Sequence, residues 1–514
     1  MSAEQIKISI IADFWGNMWY NKCKGKCRNR QKTLHFCFMG AVKMYKYRSK
    51  QISLTDFNTP VGMKLNPDNR WVKKAELIPW DEIEQRYAKL FTNRKGNVAK
   101  PLRLALGACI IQAEYGFSDE EVALQIQETA YLQFFCGYTE YNDEKPPFDP
   151  SLMVYFRKRL TPEILGEINE MIIRNSESKE NSDDEDKSNP PSNRGTMIVD
   201  ATCAPSQIKY PQDTELLNEA REITEKVIDE LHIPGNGKKP RTYRKKARKQ
   251  YLQIARSKKR TAKKVRKAIG QQLSYIKRNL KTIENLPLKT DSLSKQLRAK
   301  LETVKKLYEQ QKYMYDNHTH SVPDRIISIS QPWLRPIVRG KAKAPVEFGA
   351  KLDISVVNGF TRLEYHSFDA YNEALKLSDM IERYKERTGS YPERILADKI
   401  YRNRENLAYC AERKIRLSGP ALGRPKKDEV RDKKQDYIDE SERVEVERKF
   451  SLAKRKCGIG LIVTRLKETT CHCLAMSVLL LNLRKIGKVL FAIFLSRFQK
   501  LLEIYNVLEM AIIQ

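Results

Sequence analysis

The sequence predicts an α/β core that follows an all-helical domain and is interrupted by a helical hairpin. Three observations lead to this fold class. Apolar residues recur at helical spacing from Lys73 to Ile173, runs typical of β-strands begin only after residue 195, and a long basic segment with helical periodicity separates the first of those runs from the others. Because 514 residues exceed what one hydrophobic core usually serves, two or three domains are expected.

Changes in composition divide the chain into seven predicted segments. In order, these are an uncertain N-terminal extension (1–62), a helical domain (63–175), an acidic disordered linker (176–195), the first part of the α/β domain (196–237), a basic helical hairpin (238–320), the second part of the α/β domain (321–470) and C-terminal helices (471–514). The linker is rich in Ser, Asn and Pro and cannot bury a core. Met44 and Met63 are alternative starts to Met1.

Two short β-type runs each contain one aspartate among apolar residues. Thr196–Cys203 reads TMIVDATC around Asp200, and Arg394–Tyr401 reads RILADKIY around Asp398. A carboxylate inside or at the end of a buried strand is costly unless something neutralises it. A divalent cation shared with a second carboxylate would do so, and the two runs therefore indicate a metal site.

A third acid lies in a predicted helix from Ser441 to Lys456. At helical spacing Arg443, Glu447 and Lys454 share one stripe, and a carboxylate flanked by cations stays ionised, as a metal ligand must. An exposed helix with i, i+4 ion pairs has the same pattern, and on these residues alone it is the better interpretation. The two upstream aspartates favour the metal site.

The remaining elements follow from periodicity and turn signals. Strands are predicted at Arg325–Ile329, Glu347–Val357, Thr361–Ser367 and Ile415–Leu417, and helices at Thr214–Leu231, Asn372–Thr388 and Asn403–Lys414. Asn358-Gly359 is a hairpin turn. Asp213 is interpreted as the cap of the helix that follows it.

The strongest compositional signal is the segment Lys238–Lys267, half of which is Lys or Arg, with no acid before Thr282. Its continuation has the apolar spacing of two antiparallel helices joined at Pro287. Such a basic hairpin predicts DNA binding or a bridge to a second protomer, and the alternative is a solvated helical spacer. The candidate DNA-binding residues here are Lys245, Lys246, Arg248, Lys249, Lys258, Lys259 and Arg260. Arg335, Arg339 and Lys341, in a predicted loop, are candidates for a clamp on the DNA backbone.

Taken together, the three acidic motifs resemble a known family. VDAT at Asp200, LADKIYRNREN at Asp398 and RVEVERKFSLAKRKCGIG at Glu447 are similar to the triad of bacterial insertion-sequence transposases with the DDE, RNase H-like catalytic fold, above all the insertion-sequence-5 type. Those enzymes carry the signature Tyr-x2-Arg-x3-Glu-x6-Lys. Arg443, Glu447 and Lys454 match it, whereas Glu440 stands at the tyrosine position.

This resemblance implies a fold, a cofactor and partners. The fold would be an RNase H-like domain with a mixed five-stranded sheet flanked by helices, and the helical N-terminal domain would bind the element's terminal repeats. Asp200, Asp398 and Glu447 would hold two Mg²⁺ ions, with Mn²⁺ able to substitute, for cleavage and strand transfer. Arg443 and Lys454 would contact phosphates near the scissile bond. The partner would be double-stranded DNA, both transposon ends and target, bound by a homodimer.

Net charge, apolar run length and cysteine spacing limit the partners, the compartment and the metal sites that the sequence predicts. A net charge of +31 favours a polyanionic partner. No apolar run reaches the length a bilayer requires and no signal peptide is recognisable, so we expect an intracellular protein without a membrane partner. The resemblance implies a bacterial protein that is cytoplasmic and nucleoid-associated. A zinc site at Cys23, Cys27, His35 and Cys37 is disfavoured by its spacing, and Cys471-His472-Cys473 is expected to pack in a core. A DNA-binding protein from a decayed element and a metal-dependent nuclease of the same fold are the alternatives.

Overall fold

The computed structural model describes Tyr45 and residues 52–59, 64–91, 98–180, 193–233, 238–288, 290–338, 346–419 and 432–488, without the side chains of 178–180. The chain divides into two compact units: Met1–Ser49 with Glu84–Pro101, and Lys50–Ile83 with Leu102–Gln514. In the first unit Tyr45 stacks on Phe91 at 4.8 Å between ring centroids. The predictions made for Cys23, Cys27, His35, Cys37, Arg339 and Lys341 lie outside the described residues.

Helices occupy most of the described chain before residue 181. They are α1 (Arg70–Leu77), α2 (Trp80–Ala88), α3 (Leu102–Tyr115), α4 (Asp119–Glu128), α5 (Ala130–Phe135), α6 (Leu152–Arg159) and α7 (Pro162–Glu180). Ser118 is the N-cap of α4, since its side chain accepts a hydrogen bond from the Glu121 amide. Because α7 continues to Glu180, the prediction that a linker begins at 176 was wrong.

A mixed six-stranded sheet, covered by helices, follows and is the predicted α/β core. Its strands are β1 (Thr196–Pro205), β2 (Arg335–Val338), β3 (Val346–Val357), β4 (Phe360–Ser367), β5 (Arg394–Leu396) and β6 (Arg416–Leu417). β3 pairs antiparallel with β1 on one edge and with β4 and β2 on the other, while β5 lies parallel between β1 and β6. The predicted count of five was wrong because β2 forms where a loop was expected.

The hairpin and the crossover helices agree with the sequence patterns. Asn358 and Gly359 both have positive φ, 50° and 71°, as the two-residue turn between β3 and β4 requires. Helices α12 (Leu377–Thr388) and α13 (Arg404–Glu412) lie on one face of the sheet, and α14 (Lys433–Lys456) packs against β1, β5 and β3. α14 begins eight residues before the predicted start at Ser441.

The core of the sheet lies between its strands and helices α12 and α13. It contains Met197, Val199, Val357, Leu377, Met380, Ile381, Tyr384, Ile395, Ala397, Tyr401, Cys410, Ile415 and Leu417. Alternation places Met197 and Val199 on this face, so Ile198 and Asp200 point to the opposite face, toward α14.

The basic segment belongs to a helical bundle inserted after β1. Its helices are α8 (Asp213–Leu231), α9 (Arg244–Ala255), α10 (Ala262–Glu284) and α11 (Lys295–Asp316). α10 and α11 are the predicted pair around Pro287. Since Leu217 and Val227 of α8 share a core with α10 and α11, the boundary drawn at residue 237 separates helices that pack together.

One predicted strand does not form. Residues Arg325–Ile329 have no strand partner, and Ile326 and Ile329 instead pack into the helical bundle with Leu216 and Leu307. The alternation of apolar residues there was a correct sign of burial but not of a strand.

The last described helix, α15 (467–488), contains the Cys471-His472-Cys473 sequence. His472 is buried and its Nδ1 lies 2.7 Å from the Leu160 carbonyl oxygen, as core packing predicts. Within the described ranges, no helix is both long and apolar enough to span a bilayer.

Candidate active site

Asp200 and Asp398 lie at matching positions of two neighbouring parallel strands. Ile198 of β1 is paired with Leu396 of β5, and each aspartate follows its paired residue by two positions, so both lie on the α14 side of the sheet. Asp200 Oδ1 accepts a hydrogen bond of 2.7 Å from the Ala201 amide. Asp398 lies just beyond the end of β5, and its Oδ1 accepts one of 2.6 Å from the Lys399 amide.

Glu447 lies on α14, the helix that packs against both of these strands. Val446 and Ala453 bury the inner face of α14, while the Glu447 side chain is 55% exposed. The predicted i, i+4 pair forms, with Arg443 Nη2 3.4 Å from Glu447 Oε1. Arg443 is also 2.9 Å from Glu440, the residue at the signature's tyrosine position, so this departure from the signature adds an acid to the arginine's surroundings.

The electrostatics of Asp200 show that the three acids share one environment. Burial raises the pKa of Asp200 to about 6, with further contributions from Asp398 and Glu447, while the Ala201 amide and Arg443 oppose the rise. Arg443 interacts with Glu440, Glu447 and Asp398, which raise its pKa. Among the described residues, however, no three carboxylate, histidine or cysteine side chains are grouped closely enough to hold a metal ion.

A second set of charges fixes α14 on the sheet. Asp439, which is buried, accepts hydrogen bonds of 2.6 and 2.7 Å from Arg416 of β6 and lies 3.4 Å from Arg394 of β5. Arg394 also pairs with Glu442 at 2.7 Å. These contacts hold the helix that carries Glu447 against β1 and β5, the strands of the two aspartates.

Sequence reasoning missed a polar group on the other face of the sheet. Asp353 of β3 is fully buried, and its Oδ1 accepts a hydrogen bond of 2.6 Å from the Tyr371 hydroxyl. Burial raises its pKa to about 7, against the effects of Tyr371 and Lys351. The signal was present in the sequence, since KLDISVV is another apolar run with one acid.

Most of the predicted DNA-binding cations of the bundle are exposed. Lys245, Lys246, Arg248 and Lys249 lie on α9, and Lys258, Lys259 and Arg260 lie in the turn after it. Lys245, Arg248, Lys249 and Arg256 line one shallow groove along α9. Arg260 is held in part by hydrogen bonds to Gln212 and to the Ala255 carbonyl.

Two other predictions need correction. Arg335 is part of β2 rather than of a loop, and it donates to the Pro332 and Leu334 carbonyls. Its contact with DNA stays a prediction. Asp213 does not cap α8. It accepts hydrogen bonds from Arg325 at 2.7 Å and Gln311 at 2.8 Å, and so ties the start of α8 to the end of the bundle.

These features define a class: an α/β protein with one aspartate within a central strand, a second just after the neighbouring parallel strand, and a glutamate on the helix that packs against both strands. Two segments of the chain match family models of transposase domains. Residues 395–484 match the transposase DDE domain, and residues 61–159 match a transposase domain, DUF772. The matches confirm the predicted relationship to insertion-sequence DDE transposases. Asp398 and Glu447 fall inside the first matched segment.

A distant relative is the uncharacterized protein ORF8 in the nfe locus of Rhizobium meliloti. It is 29% identical over 159 residues, which cover 31% of this chain and 72% of that protein. No solved structure matches the chain.

Proposed function

We propose that the protein binds the terminal inverted repeats of an insertion sequence and catalyses metal-dependent cleavage and strand transfer of their DNA. One observation carries this proposal. Asp200 and Asp398 are at equivalent positions of two parallel strands, with Glu447 on the helix that covers them and Arg443 interacting with all three. The three motifs are separated by 198 and 49 residues in the numbering, so only the fold can bring them together.

The proposed domain type is RNase H-like. Its support is the strand order β4-β3-β1-β5-β6, in which the first three strands are antiparallel and the last two are parallel to β1. A hairpin, a crossover helix and a parallel strand in this order match what the family resemblance implies. The helical domain within residues 63–175 would bind the terminal repeats, and the bundle containing 238–320 would be an insertion in the catalytic domain.

The donor chemistry of the site fits Mg²⁺ or Mn²⁺. Both prefer carboxylate oxygens, and Asp200 is a half-buried carboxylate near two other acids, an arrangement that a divalent cation would stabilise. Asp200, Asp398 and Glu447 would hold two such ions. When bound, the metal ions supply Lewis acidity at the scissile phosphate.

The chain's own residues would orient the DNA. Arg443 pairs with Glu440 at 2.9 Å and with Glu447 at 3.4 Å, and it is well placed to exchange Glu447 for a phosphate oxygen. Lys454 lies two turns after Glu447 on α14. The exposed cations of α9 would bind the backbone at a distance from the cleavage point. Two ends must be held together, which favours a homodimer on DNA in the bacterial cytoplasm.

The test is a nicking assay on DNA that carries the inverted repeats bracketing the gene. With Mg²⁺ the wild-type protein should nick the repeat end, and Asp398→Asn and Glu447→Gln should abolish nicking while end binding persists. Glu445→Gln, two residues before Glu447 on the same helix, is the matched control and should nick normally. Nicking by Asp398→Asn would remove that residue from the site, and nicking without joining to a target would favour a nuclease.

A further inference from the structure

A layer of polar side chains lies behind the candidate site, on the α12 side of the sheet. Asp353 is paired with Ala201 across the β1–β3 ladder, and directly paired residues point to the same face. Ala201 follows Asp200 on β1, and successive side chains of a strand point to opposite faces. Asp353 therefore lies beside Asp200 in the sheet but on the opposite face. Its side chain has no solvent exposure.

One oxygen of Asp353 is satisfied and the other is not. Oδ1 accepts the Tyr371 hydroxyl, but Oδ2 has no hydrogen-bond partner within the described part of the chain. The neighbouring Lys351 donates to the Tyr371 carbonyl at 2.9 Å and pairs with Glu373. These bonds fix the segment from Tyr371 to Glu373 on β3.

Tyr401 is the second unsatisfied group of this layer. It belongs to the core on the same face, it is 0% exposed, and its hydroxyl has no partner among the described residues. Tyr401 also ends the short 3-10 turn that starts after Asp398, and its amide donates to the Asp398 carbonyl at 3.0 Å. The position of its ring therefore constrains the turn that carries Asp398.

The two segments are already joined on their backbones. Asn406, which is buried, donates to the carbonyls of Ala374 and Tyr401, both at 2.8 Å. After burial, Asp353 is the largest influence that raises the pKa of Tyr401. The hydroxyl can donate and the carboxylate oxygen can accept, and buried polar groups in folded proteins nearly always have such a partner.

We propose that Tyr401 donates a hydrogen bond to one buried water that in turn donates to Asp353, and that this water-mediated link holds the Asp398 turn in register with Asp200. Asp353 and Tyr401 are positioning residues: they act on the site through the turn and do not touch DNA or metal. The consequence for cleavage rests on the proposed function. The link itself is a property of the folded chain and is testable without activity.

The experiment compares Tyr401→Phe, Asp353→Asn and the double variant with Tyr409→Phe. Tyr409 is the matched control because its hydroxyl bonds Glu382 on the nearby α12, outside this layer. In the metal-free protein, hydrogen exchange of the amides of 399–402 should become several-fold faster in Tyr401→Phe and in Asp353→Asn. The double variant should exchange at the same rate as the single variants. The control variant Tyr409→Phe should leave the exchange of these four amides unchanged.

Two results would overturn the link: unchanged exchange at 399–402 in Tyr401→Phe, or additive effects in the double variant, which would mean that the residues act independently. If Asp353→Asn does not fold, Tyr401→Phe, which keeps the ring, decides the question. A Mn²⁺ titration gives a second readout, with weaker binding expected in both single variants. Failure of the wild-type protein to nick DNA would refute the proposed function and leave the exchange result standing.

Discussion

At Asp200, burial and two neighbouring acids act against ionisation, and one amide and one guanidinium act in its favour. The balance places the pKa of this carboxyl at about 6, so near neutral pH the side chain is charged at a cost to the folded state. A structural acid in a strand would be paired more completely, as Glu364 is by Arg383 and Arg387. The incomplete pairing of Asp200 is typical of a residue kept for binding a cation.

The first prediction concerns Asp200→Asn in the presence of a chelator. Since the folded-state pKa lies above the unfolded value, the folded protein binds more protons between about pH 4 and 6, and its stability falls as the pH rises through that window. Removing the charge should therefore stabilise the metal-free protein by roughly 1–3 kcal/mol at pH 8 and by much less at pH 4. Urea unfolding at both pH values measures this.

The same variant should lose all metal-dependent nicking. Asp316→Asn, at the end of α11, is the control and should change neither the pH dependence nor the nicking. A lower stability of Asp200→Asn at pH 8 would mean that the carboxylate makes stabilising contacts other than those with Ala201 and Arg443.

The second prediction concerns Gly349 of β3, which is paired with Pro205 of β1. A Cβ at this position would lie 2.1 Å from the Ala204 carbonyl oxygen, a backbone atom that cannot rotate away. Gly349→Ala should destabilise the fold by roughly 1–3 kcal/mol through strand separation. Gly166→Ala, in α7 with open space around its Cβ, should be neutral or slightly stabilising. Thermal unfolding of Gly349→Ala and Gly166→Ala gives the comparison. Equal unfolding midpoints for the two variants would contradict the steric argument.

At the scale of elements, the position of α14 decides whether Glu447 can reach the two aspartates. The helix is fixed by apolar contacts at Val446 and Ala453 and by the charges around Asp439. Burial opposes ionisation of Asp439, but the hydrogen bonds from Arg416 and Gln435 prevail and lower its pKa. The charged contacts that fix α14 through Asp439 therefore depend on pH.

The third prediction is that Asp439→Asn loosens α14. An aspartate whose pKa is lowered in the folded state contributes its full stabilisation of the fold above its unfolded-state pKa of about 3.9. This contribution is lost as the pH falls through the folded-state pKa. The variant should be less stable by roughly 2 kcal/mol at pH 7, with a smaller pH dependence below pH 4. Glu440→Gln, which removes an exposed pair, should cost about 0–1 kcal/mol.

Acid titrations followed by circular dichroism compare the two variants with the wild-type protein. Identical acid transitions for Asp439→Asn and the wild-type protein would show that this carboxylate does not anchor the helix.

The elements near the site were largely predictable, because an acid within an apolar run is informative by itself. The strands at Asp200 and Asp398, the Asn358-Gly359 turn and the i, i+4 pair of Arg443 with Glu447 follow from local patterns. Whether Glu447 lies close enough to share a metal ion depends on α14 packing, which no local pattern contains. The assignment of all three acids as ligands stays a prediction.

The errors arose where contacts span long distances in sequence. Asp213 has a capping residue's local pattern, but its partner Arg325 is 112 residues away. Ile326 and Ile329 alternate as in a strand because they bury themselves against helices. Asp353 was missed because its partner Tyr371, 18 residues away, reaches it only in the folded protein.

The fourth prediction uses the exposed stripe on α9. Replacing Lys245, Arg248 and Lys249 by Gln should weaken DNA binding at all sequences and reduce the slope of log affinity against log salt by up to about 3. The triple Gln variant of Lys295, Lys300 and Lys306 on α11 changes the charge equally and is the control. Anisotropy titrations at several salt concentrations measure both. Equal losses in the two variants would mean that net charge, not this groove, binds the DNA.

At the scale of the larger unit, three segments far apart in sequence meet at one buried amide. Asn482 of α15 accepts the Thr361 amide of β4 at 2.8 Å and donates to Asn169 of α7 and to the Thr361 carbonyl, both at 2.8 Å. The helices before the sheet and the helix after it are thus joined to the strand hairpin by groups without access to water. Such a junction should make these segments unfold together.

The last prediction tests this cooperativity with Asn482→Ala. The variant leaves the Thr361 amide and Oδ1 of Asn169 without a partner in the buried interior, while Nδ2 of Asn169 keeps its bond to the Thr361 carbonyl. The two lost bonds should cost about 3 kcal/mol. Hydrogen exchange of peptides from α7, β4 and α15 should accelerate by one common factor. Asn317→Ala, an exposed residue at the end of α11, should leave all three unchanged. Faster exchange in α15 alone would show that this helix unfolds independently, and that the amide is a local contact rather than a junction of the fold.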